Sequence, residues 1–147
     1  MLQSKYLFLS LLCLLAPLRL HAQFMDYGSD PARFKWNIAK LPHYDLVYPQ
    51  GNDSMAYRYA LFLENVYPHM SKTIGKPIKA RFPVILHPAS MQSNGMVSWA
   101  PRRMELITTP SSDLSTQSWD KHLVLHESRH VFQTGKVMYG IFKPLYY

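Results

Sequence analysis

Alternation of apolar and polar positions marks out the first elements of this chain. Phe34-Lys35-Trp36-Asn37-Ile38 alternates with a period of two and predicts a strand. Tyr44-Asp45-Leu46-Val47-Tyr48 predicts a second, with Leu41-Pro42-His43 as the connection and Pro49-Gln50-Gly51-Asn52-Asp53 as a turn cluster. The period then changes. Ala56, Ala60, Leu63, Tyr67, Met70 and Ile74 recur at steps of three and four, which is one buried stripe of a helix. Asp53 or Ser54 can cap its start, and Gly75 and Pro77 stop it. Pro68 falls inside the pattern. It removes one hydrogen bond and crowds the carbonyl of Glu64, so it is expected to kink the helix or end it early.

Ile78 to His87 holds another strand, centred on Val84-Ile85-Leu86. A polar loop from Ala89 to Gly95 follows. Met96-Val97-Ser98-Trp99 and Met104-Glu105-Leu106-Ile107-Thr108 then flank Ala100-Pro101-Arg102-Arg103 and read as a hairpin. Pro110 to Ser118 is a Ser/Thr-rich connection. Trp119 to Thr134 contains no Pro or Gly and predicts a second helix, with Ser115 or Thr116 as its N-cap and Gly135 as its C-cap. Val124, Leu125, Val131 and Phe132 gather on one half of that helix, and His122, His126, Arg129, His130 and Gln133 on the other. The order of elements is that of an α+β domain. Both helices can pack on one face of the sheet, with the hairpin bordering a cleft.

The first 22 residues stand apart. Lys5 provides a positive start, Tyr6 to Leu18 a short apolar run, and Leu20-His21-Ala22 a small residue at the cleavage position. Residues 1–22 are therefore read as a signal peptide rather than a membrane anchor, since the run is short and Pro17 interrupts it. Residues 23–33 read as an irregular lead-in, and 34–147 as the domain. The chain's one cysteine, Cys13, lies in the signal, so no disulfide holds the processed chain together. Net charge is +7, and +5 once residues 1–22 are removed. The basic residues are scattered behind an export signal, which argues against a nucleic-acid partner.

Candidate chemistry is concentrated in His126-Glu127-Ser128-Arg129-His130, an HExxH motif inside the second helix. Histidines four apart on a helix point the same way, one turn above the other. Both imidazoles can reach one tetrahedral zinc ion, and Glu127 stands beside them to take a proton from metal-bound water. That chemistry is amide hydrolysis. An amphipathic helix with a solvated histidine face is the bland alternative. His122 is read as a neighbour of the site rather than a ligand. His43, His69 and His87 stand alone and are read as surface or satisfied residues.

Together the export signal, the order of elements and the motif resemble the gluzincin branch of zinc metallopeptidases. The chain looks closer still to the peptidase-like amino-terminal domain of large exported TolB-like β-propeller proteins of Bacteroidetes type. The resemblance rests on Phe34–Ile38, Tyr44–Tyr48 and above all Leu125-His126-Glu127-Ser128-Arg129-His130-Val131-Phe132-Gln133, and it covers roughly residues 33–140. It implies a zincin-like mixed sheet with a packing helix and an active-site helix. It also implies zinc held by His126 and His130, Glu127 as the base, and a peptide or protein substrate paired along the sheet's edge strand. Met104 to Thr108 is the candidate for that edge.

The resemblance further implies a third ligand, a Glu, from a helix after the motif. No Asp, Glu, His or Cys occurs between Val131 and Tyr147. Three readings stay open: a domain cut short at its C-terminus, a ligand from upstream (Glu105, Asp113 or Asp120), or a metal-free relative. The expected function is that of a zinc metallopeptidase-like domain truncated before its third ligand, inactive as it stands. It would be exported to the periplasm or outer envelope, without stable membrane insertion, and followed by a β-propeller. The alternative is a non-catalytic envelope scaffold or binding module of the same longer protein.

Overall fold

Both periods become real elements in the computed structural model, which describes residues 30–75, 80–99, 101–112, 116 and 118–138. The expected signal peptide, and the lead-in before Asp30, lie outside the described residues. The fold is mixed α+β. Its elements are β1 (Trp36–Lys40), β2 (Tyr44–Pro49), α1 (Asp53–Ile74), β3 (Phe82–His87), β4 (Gly95–Trp99), β5 (Arg102–Ile107) and α2 (Trp119–Met138). The five strands form one mixed sheet in the order β1-β2-β3-β5-β4. The β1/β2 and β4/β5 pairs are antiparallel, while β2/β3 and β3/β5 are parallel. A parallel neighbour needs a crossover, and α1 supplies it between β2 and β3.

One face of the sheet makes the core. Tyr44, Leu46, Phe82, Val84, Leu86, Met104 and Leu106 alternate inward along their strands and are buried. They meet Ala56, Tyr59, Leu63, Tyr67 and Met70 of α1 and Leu123, Val124, Val131 and Phe132 of α2. The two helices also pack on each other. Tyr59, fully buried, joins the expected α1 stripe, whereas Ala60 and Ile74 lie at its margin. Leu63 is fully buried at the centre of that stripe. The Leu63→Ala variant should lose about 2–5 kcal/mol of unfolding free energy, read from a denaturant titration.

Several local expectations are corrected. Strand β1 starts at Trp36, two residues late, and runs on to Lys40, because its partners in β2 are Pro49 through Asp45. Helix α1 does not stop at Pro68; Tyr67 and Met70, buried on either side, hold the following turns in place. It ends at Gly75, whose φ of 126° suits only glycine. Gly135 is no C-cap: it lies buried inside α2, which continues to Met138. The first turn of α2 is anchored at Ser118, whose carbonyl accepts the His122 N–H at 3.1 Å. Thr116 therefore lies ahead of the helix, and Ser115 is outside the described residues.

The correction that matters most for a site concerns the edge. Met104 to Thr108 is not an edge, since β5 lies between β3 and β4. Glu105 and Ile107 are buried beneath it just as Met104 and Leu106 are buried above. The free edge beside α2 is β4.

Candidate metal and active site

Helix α2 buries Leu123, Val124, Glu127, Ser128, Val131, Phe132 and Gly135, while His122, His126, Arg129, His130 and Gln133 are exposed. The HExxH residues straddle that boundary. His126 and His130 lie on the open side, and their Nε2 atoms converge to 3.1 Å. Their ring planes are 78° apart. Two zinc–nitrogen bonds of about 2.0–2.1 Å at a tetrahedral angle put the nitrogens about 3.3–3.4 Å apart. The pair is thus close to the spacing of one edge of a zinc shell. A direct N–H···N hydrogen bond fits the same distance when one ring carries the Nε2 proton.

Glu127 lies on the buried side, only 5% exposed. Its side chain lies close beside Gly95 in β4, in the space that a Cβ there would take. Burial pushes its carboxyl above the usual range, and the positive character of His126 and His130 pulls it partly back. Residues Asn94 to Val97 on one side and His126, Glu127, His130 and Thr134 on the other enclose an open cleft of about 380 Å³.

The edge strand presents main chain to this cleft. The Ile107 N–H donates to the Asn94 carbonyl at 2.9 Å, and Gly95 stands opposite Leu106 in the register. In an antiparallel ladder, bonded and non-bonded positions alternate. The N–H and C=O groups of Gly95 and Val97 therefore face away from β5, towards the free edge. The Gly95 N–H is met there by the Oδ1 of Asn94 at 2.9 Å. Sequence reading placed Gly95 in a polar loop and gave it no part in the site. An Asn-Gly pair at the mouth of a strand was the available signal.

The upstream candidates for a third ligand are engaged elsewhere. Glu105 is buried on the opposite face of the sheet, where the Arg103 guanidinium donates to its Oε1 and His87 Nε2 stands 3.7 Å from its Oε2. Asp120 pairs with Arg58 at 2.7 Å. Asp113 lies outside the described residues. Among the described residues no group of three His, Cys, Asp or Glu side chains could hold a metal ion.

The remaining histidines among the described residues are accounted for individually. His122 stacks between Trp119 and His126, 6.3 Å from each ring. His43 is clamped by Glu64, which accepts from its Nδ1 at 2.6 Å and its backbone N–H at 3.0 Å, and its ring stacks on Tyr67. His87 is buried and paired through Nδ1 with Asp30 at 2.5 Å. His69 is exposed on α1. Compared with known family models, curated proteins and solved structures, the chain matches none.

Proposed function

We propose that this chain carries the motif helix of a zincin-like, zinc-dependent peptidase domain, with His126 and His130 as metal ligands and Glu127 as general base. The observation that supports it is the convergence of two imidazole Nε2 atoms, 3.1 Å apart, beside a buried carboxylate in an open cleft. The donor set suits zinc: two neutral imidazoles supply half of a tetrahedral shell. A bound zinc ion would contribute Lewis acidity, polarising a carbonyl and acidifying water.

The chain's own residues supply the rest. Burial makes the Glu127 carboxylate a better proton acceptor than an exposed one, which is the property a general base needs. The outward N–H and C=O groups of Gly95 and Val97 can pair with an extended peptide and hold one of its amides near Glu127. Edge strand β4 thereby takes the role first given to Met104–Thr108.

The proposal needs a third ligand from outside the described residues, among which no three-ligand group occurs; Asp113 is one such residue. The test is zinc stoichiometry and hydrolysis of an unfolded protein, measured on the full-length protein with and without a chelator. It should hold one zinc and lose activity to the chelator. A protein that holds no zinc would overturn the metal site and favour a non-catalytic scaffold or binding module. A protein that holds zinc and hydrolyses nothing would overturn the peptidase reading.

A further inference from the structure

We infer that Gly95 is a positioning residue for the Glu127 carboxylate; its catalytic consequence rests on the reading of Glu127 as the base, but the contact itself does not. Glycine weakens a strand interior and needs a local reason. Backbone conformation is not that reason, because the positive-φ glycines among the described residues are Gly51 and Gly75. Close approach is. A Cβ built on Gly95 would come within 2.7 Å of Glu127 Cγ and Oε1 and 2.8 Å of its Cδ. Those distances are far inside van der Waals contact, so one side must move.

Glu127 has few places to go. It is nearly fully buried, with β4 on one side and the paired imidazoles on another. A side chain at position 95 would displace the carboxylate from its place against β4. The missing side chain at position 95 therefore leaves the carboxylate its place beside the strand, in the cleft that the two imidazoles also line. The same residue turns its main-chain N–H to the free edge.

The experiment is a thermal double-mutant cycle on the full chain in chelator, with Gly95→Ala made alone and in a Glu127→Ala background. Alone, Gly95→Ala should lower Tm by about 5 °C, and in the Glu127→Ala background by less than about 1 °C. Equal losses in both backgrounds, or no loss in either, would overturn the inference. Where the full-length protein hydrolyses protein, Gly95→Ala should cut kcat about 100-fold with KM changed less than about threefold, as expected for a misplaced base. An unchanged kcat would overturn the positioning role. If the unaltered protein hydrolyses nothing, the peptidase reading fails, and the thermal cycle still decides the contact.

Discussion

The Glu127→Gln variant of the full-length protein should keep its zinc and lose hydrolysis of an unfolded protein by about 10²–10⁴-fold. Glutamine has nearly the shape of glutamate, so the close packing against Gly95 survives the change. What disappears is the capacity to take a proton. The desolvated setting that raises the affinity of Glu127 for a proton has no effect on an amide. Metal content and turnover should therefore separate in this variant. Loss of zinc with the fold intact would make Glu127 a ligand instead. Full activity would remove it from the mechanism.

Complementary behaviour is expected of the histidines. His126→Ala and His130→Ala should each weaken zinc binding by more than about 100-fold, since loss of a supporting group around a metal already costs about 10–100-fold. Both Nε2 atoms are exposed to the cleft, and each is the other's nearest nitrogen partner. His122→Ala should weaken zinc binding less than either of those changes, because its ring stacks on His126 from 6.3 Å and does not converge with the two Nε2 atoms. Zinc titration with a competing chelator measures all three. Full occupancy in either His126→Ala or His130→Ala would end the site assignment.

Local order was legible where a single period governs. The α1 stripe, the β4/β5 hairpin and the histidine face of α2 all follow from residues close in sequence. The burial of Glu127 was not, because a helical wheel places it on a flank and its approach to Gly95 of β4 is a contact distant in sequence. Nor was the place of β5 in the sheet. A strand buried on both faces ordinarily reads as a continuous apolar run. Here Glu105 interrupts that run, and its burial depends on Arg103 and on His87, eighteen residues upstream. Parallel pairing of β3 with β5 leaves no local trace either, since β4 intervenes in sequence and not in space.

The Asp30–His87 pair also decides how much of the amino terminus the folded unit can spare. Removal of residues 1–22, the expected signal peptide, would leave Asp30 in place, still able to reach the end of β3. A cut at Phe34, where regular structure all but begins, would take the carboxylate away and leave a buried imidazole whose Nε2 makes no hydrogen bond and only approaches Glu105 at 3.7 Å. Breaking a buried pair from one side costs about 3–5 kcal/mol, a large share of a small domain's stability. Trimming as far as Phe34 would therefore be felt at the end of β3. Residues 30–35 are in effect the first structural part of the described fold, although they form neither helix nor strand.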